Sequence, residues 1–142
     1  MRGSMLVECL LTVALIGFFT AGVCLIAIDK LDRYRLDQAT SELVADMRLV
    51  QMKSMNGGDG AFTQIAFSYI KPYGYYLRAG GKIIRFRTLD PVQVVETESE
   101  PLTFGSNGFP SKGRRIILHC GKYTRHLIID FVGRIRVTEG AG

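Results

Sequence analysis

One carboxylate stands alone in a long apolar run. From Met5 to Ile28, Glu8 is the only charged side chain among 24 residues. A charge at the centre of a membrane helix costs about 2.5–3.5 kcal/mol, and less toward the ends. Glu8 lies near one end, where a carboxylate can snorkel to water. An intramembrane carboxylate is still a site by default, and what it lacks is a cation. Elsewhere the residues that could do chemistry are sparse. His119 and Cys120 are neighbours on a segment of strand alternation, which sends Cys120 inward and His119 outward, so with His126 they do not assemble a metal site. Cys9, Cys24 and Cys120 are too few and too scattered for a disulfide framework or a four-cysteine zinc site. On one helix Cys9 and Cys24 would stand about 22 Å apart, beyond the reach of a bridge within the chain. Neither a phosphate-binding glycine loop nor a nucleophile elbow occurs. These residues point to no enzyme and to no cofactor.

A second group is defined by charge. The chain has 142 residues, 18 Lys+Arg, 13 Asp+Glu and a net charge of +5. The first 100 residues balance, with 11 charges of each sign. The last 42 hold Lys112, Arg114, Arg115, Lys122, Arg125, Arg134 and Arg136 against Asp130 and Glu139, which accounts for the whole excess. Strand alternation places Arg115, Arg125 or His126, Arg134 and Arg136 on an outward sheet face, with Arg114 and Lys122 at loops. Such a face could meet phosphates in a salt-dependent, sequence-independent way. It could equally be solvated or touch another subunit. Tyr123 and Phe131 are the only aromatics among these positions, which gives base stacking little support.

The elements that carry these residues follow from hydrophobic periodicity. Met5–Ile28 spans about 36 Å as a helix, enough to cross a hydrocarbon core of about 30 Å. It is longer than the apolar region of a signal peptide, and a charged amphipathic stretch follows it. Residues 29–55 continue as helix. Leu36, Thr40, Leu43, Met47, Val50 and Ser54 recur at spacings of 3 and 4, while Asp37, Asp46, Arg48 and Lys53 lie off that stripe. Asn56-Gly57-Gly58-Asp59-Gly60 should end it.

Beyond the helix the period becomes 2. Ile65 and Phe67, and Ile84 and Phe86, alternate with polar neighbours. Gly80-Gly81 reads as a hairpin turn between 75–78 and 82–87. Residues 92–96 form a further strand, and Glu96–Pro101 an acidic connector. In the last third, Ile116, Leu118, Cys120, Leu127, Ile129, Phe131, Ile135 and Val137 point inward. A two-residue loop after residue 130 would set Phe131 opposite Arg134 and core residues across from charges. A three-residue loop 131–133, with Gly133 left-handed, pairs Ile129 with Ile135 and Leu127 with Val137, and brings Asp130 opposite Arg134. The fold class is α+β: a long N-terminal helix packed on an antiparallel β-rich domain.

Two stretches carry a family likeness. Arg2-Gly3-Ser4-Met5-Leu6-Val7-Glu8 resembles the processing site of type IV prepilins and pseudopilins. Leu102-Thr103-Phe104, Gly108-Phe109-Pro110, Gly113, residues 116–119 and 127–130, and Gly133-Arg134-Ile135-Arg136 resemble the GspH/FimT minor pseudopilins. The likeness covers both ends of the chain, while 56–100 shows only general strand character.

The resemblance implies a leader 1–3 removed by a prepilin peptidase after Gly3, a new and usually methylated N-terminus at Ser4, and Glu8 as the assembly glutamate. It divides the rest into a transmembrane half of the helix (4–28), an amphipathic half (29–55) and a globular domain (56–142). It implies a single-pass protein of the cytoplasmic membrane, with its C-terminal domain outside, assembled with other pilin subunits in a secretion, pilus or competence filament. The positive-inside rule alone, reading Lys30, Arg33 and Arg35 against Arg2, would place that domain in the cytoplasm. Two alternatives to a purely structural subunit are a minor pilin that binds DNA through Arg114, Arg115, Lys122, Arg125, Arg134 and Arg136, and an unrelated membrane-anchored binding domain.

Overall fold

The helix α1 runs from Arg2 to Asn56, 55 residues. Its apolar part has a mean hydropathy of 2.5, and from Met5 to Val23 every side chain is exposed. By length and composition it is one helix able to cross a membrane. The computed structural model describes residues 2–57, 63–96 and 100–140, with only the backbone described at 2–4, 24–26 and 96. The first residue of the expected leader, the glycine-rich stretch after Gly57 and the middle of the acidic connector lie outside the described residues. Two compact units divide the chain, Met1–Asp32 and Arg33–Gly142.

In the second unit the expected helical stripe is the buried one. Leu36, Leu43, Met47 and Val50 are fully buried, and Thr40 and Ser54 nearly so. Both hydroxyls turn back on the helix, Thr40 donating to the Leu36 carbonyl and Ser54 to that of Gln51, each at 2.7 Å. This removes the cost of burying an unpaired hydroxyl. One position departs from the expected pattern. Asp46 is buried, at 7% exposure, because partners from distant strands receive its carboxylate.

Among the described residues, eight strands follow in two antiparallel sheets. The first contains β1 (Gln64–Ser68), β2 (Gly74–Ala79), β3 (Lys82–Thr88) and β5 (Leu102–Thr103), in the order β3-β2-β1-β5. The second contains β4 (Gln93–Glu96), β6 (Arg114–Cys120), β7 (Tyr123–Ile129) and β8 (Ile135–Glu139), in the order β4-β6-β7-β8. The helical stripe, Ile65, Tyr75, Leu77 and Leu102 of the first sheet, and Ile116, Leu118, Leu127 and Ile129 of the second form one core cluster. Gly80 and Gly81 turn between β2 and β3 with φ of 55° and 81°, the two positive values that a tight two-residue hairpin requires.

Ile84 and Phe86, which alternate with polar neighbours in the sequence, lie outside the core. The pairing of β2 with β3 shifts register between Leu77 and Arg78, and every residue of β3 is exposed. The β7–β8 turn has the expected register, Ile129 with Ile135 and Leu127 with Val137, and Gly133 takes φ 77°. Apolar character fades along this hairpin. Phe131 is 75% exposed and Val137 45%, the first at the turn and the second on the edge strand of its sheet.

Candidate functional site

Gly3, Ser4 and Glu8, the residues expected to serve processing and assembly, all lie on α1. The Gly3–Ser4 bond falls in its first turn. Glu8 is exposed and has no ion pair among the described residues. Thr12 donates to the main-chain carbonyls of Glu8 at 3.1 Å and Cys9 at 2.9 Å, so this polar residue of the apolar run is satisfied within the helix.

The six candidate contact cations separate. Arg115 is exposed at the second position of β6. It lies across from Ile128, which in turn lies across from Arg136, so the two arginines flank an isoleucine on the outer face. Asp130 holds both Arg136, at 2.8 Å, and Arg134, at 3.4 Å. The expected pairing with Arg134 is present, and Arg136 shares the same carboxylate. Lys122 is exposed in the β6–β7 turn, its ammonium 5.3 Å from the Tyr123 ring centre.

Arg114 and Arg125 depart from expectation. Arg114 is not at a loop but opens β6, 5% exposed, and donates to the Glu100 carbonyl at 2.6 Å. Arg125 faces inward, 9% exposed, and His126 takes the outward position. Arg125 donates from Nε and Nη2 to one oxygen of Asp37, at 3.0 and 2.8 Å, and meets Glu139 at 2.9 Å. It ties the helix to the far end of β8, a fastening role in place of a binding one. His119 meets the Thr124 hydroxyl at 3.2 Å, while Cys120 is buried. The pair diverges as alternation required.

Folding therefore redistributes the charge. Lys112 pairs with Glu100 at 3.0 Å and Arg125 with Asp37 and Glu139, so two carboxylates from outside the last 42 residues answer part of the C-terminal excess. The opposite holds on the first sheet. Gln64–Leu89 contains Lys71, Arg78, Lys82, Arg85 and Arg87 and no carboxylate. Among the described residues, only Arg87 of these meets an acid, Asp46 at 3.4 Å.

That same Asp46 accepts a 2.7 Å hydrogen bond from the Tyr75 hydroxyl. Burial, then the hydrogen bond and charge of Asp46, push the Tyr75 pKa far above the usual phenol range. A further polar anchor is Gln51, whose amide donates to the carbonyls of Gly108 at 2.8 Å and Gly133 at 3.3 Å. Sequence reasoning overlooked the Asp46–Tyr75 pair and Gln51. Their partners are far apart in the chain, and no local period marks them. No protein-family model, curated protein or solved structure matches this chain, so a functional reading rests on its residues and their placement.

Proposed function

We propose that this protein is a minor pilin or pseudopilin, a structural subunit processed at Gly3–Ser4 and packed by its N-terminal helix into a membrane-rooted filament. The observation that carries the reading is α1 itself. An apolar stretch whose only charge is Glu8 continues without a break into a stripe buried under two antiparallel sheets. An exposed apolar helix needs either lipid or other helices around it. In such surroundings an unpaired carboxylate is costly. The amine freed at Ser4 of a neighbouring subunit titrates near 8, is largely cationic at neutral pH and neutralises it. Glu8 then sets the axial register of one subunit against the next. At the basic corner, Arg134 and Arg136 share Asp130, an arrangement that favours a subunit contact over phosphate neutralisation.

N-terminal sequencing of protein extracted from membranes is the direct test. A start at Ser4 supports processing, and an intact Met1 overturns it in favour of an unrelated anchor. Glu8→Val should leave membrane insertion intact and abolish co-assembly with partner subunits. Normal co-assembly of that variant would remove the role given to Glu8.

A further inference from the structure

We infer that β3 is a docking edge that takes up an extended acidic segment of another polypeptide as an additional strand of the first sheet. The inference is independent of the filament reading. A strand at the edge of a sheet presents a row of unpaired N–H and C=O groups, which natural proteins usually shorten, cover or blunt. Among the described residues the first sheet has two edges. One, β5, is cut to 2 residues. The other, β3, is 7 residues long and exposed along its whole length.

The side chains of β3 make that edge selective. Ile83 is 55% exposed, Ile84 52% and Phe86 38%, an apolar surface that an added strand would cover. Phe86 is already set against Tyr76 of β2, with ring centres 4.7 Å apart, so ordering this anchor on binding costs little entropy. Around it stand cations without carboxylates. Lys82 and Arg85 are exposed and make no ion pair among the described residues. Arg78 of β2, opposite Ile83, has a buried Nε with no hydrogen-bond partner there. Register puts Arg85 on the face of Leu77, and Ile83 and Phe86 on the face of Arg78 and Tyr76, so cations are available on both faces of the edge.

This pattern decides the occupant. A second copy of β3 would bring Lys82 and Arg85 against their own kind, and like charges opposed across a pairing are unfavourable. An extended segment with carboxylates on alternate or both faces answers the cations. Its main chain completes the ladder and its apolar side chains cover the isoleucines, as in strand addition generally. Nucleic acid would meet the cations but leave the directional main-chain edge and Ile83–Ile84 without a role.

The test uses the full-length protein in detergent micelles and a capped seven-residue peptide of alternating Glu and Val. Binding should strengthen as salt is lowered and slow hydrogen exchange of the β3 amides by about tenfold or more, leaving those of β8 unchanged. Reversing two cations, Lys82→Glu with Arg85→Glu, should weaken binding by about tenfold or more, whereas Arg115→Glu should change it less than about twofold. The salt dependence of the unaltered protein is a second measure should the double variant fold poorly. Three results would overturn the inference. One is no binding, or binding without protection of β3. Another is equal binding of an isomeric-charge peptide interrupted by prolines, which cannot join a sheet. The third is a single-stranded oligonucleotide bound at β3 while the peptide is ignored.

Discussion

Tyr75→Phe removes one oxygen from the centre of the folded unit and leaves the shape of the site unchanged. The Tyr75 side chain is fully buried, and its hydroxyl donates to Asp46 Oδ2 at 2.7 Å. The Asp46 side chain is 10% exposed, and its remaining charged neighbour is Arg87 Nε at 3.4 Å. Without the hydroxyl, a buried carboxylate loses its shortest hydrogen bond. A bond to a charged group is worth about 1.5–3 kcal/mol, and no cavity adds to the loss, so the expected cost near pH 7 is about 2 kcal/mol. For a unit of this size that lowers the melting temperature by about 8 °C.

The alkaline behaviour gives an independent check with a defined sign. The folded pKa of Tyr75 is raised, so above about pH 10 the unfolded chain loses a proton that the folded chain keeps. Stability from this group is complete below about pH 10 and falls as pH rises, by about 1.4 kcal/mol per unit at most. The advantage of the unaltered protein over Tyr75→Phe should shrink accordingly above about pH 10. Urea unfolding of the full-length protein in detergent micelles, followed by near-ultraviolet circular dichroism of its tyrosines, measures both. A loss below about 0.5 kcal/mol at pH 7 would refute the reasoning, since surface changes alone reach that size. So would an unchanged gap between the two proteins from pH 9 to 12.

Two further substitutions probe the anchors that join distant segments. Gly133→Ala must hold φ 77° and places its Cβ 2.8 Å from the Gly108 carbonyl and 2.6 Å from the Gln51 amide, so chemical denaturation should show a loss of about 1–3 kcal/mol; a neutral result would mean the β7–β8 turn relaxes freely. Arg125→Ala removes the clamp on Asp37 and Glu139, but these acids are 49% and 70% exposed and stay hydrated. The expected cost is therefore about 1–2 kcal/mol, partly from lost packing of the buried stem, against less than about 0.5 kcal/mol for exposed Arg115→Ala; equal costs for the two would contradict the inward placement of Arg125.

Several elements were legible from the sequence because short-range rules govern them. Helical spacing of Leu36, Thr40, Leu43, Met47, Val50 and Ser54 announced the buried face. Period 2 together with Gly133 selected a three-residue turn, since a two-residue loop would have set Phe131 across from Arg134 and Ile129 across from Arg136. The Gly80-Gly81 hairpin followed from the same logic.

Other features depended on encounters between segments far apart in the chain. Asp46 looked like a solvated residue because neither Tyr75, 29 positions away, nor Arg87 can be placed beside it by local pattern. Ile84 and Phe86 lie exposed on an edge strand, a position in the sheet that their alternation does not encode. Charge changed most. Counted along the chain, the positive excess belongs to the last third. Once Asp37, Glu100, Asp130 and Glu139 meet the arginines and lysine they pair with, Lys82 and Arg85 of β3 join Arg115 as exposed cations with no ion pair among the described residues. The sequence by itself determined the apolar helix, its lone carboxylate and the strand periods, all set by bonding and sterics over a few residues. Only the tertiary structure decided which charges are neutralised and which edge is left open, because Coulomb pairing and strand order depend on distances in space that chain position does not encode.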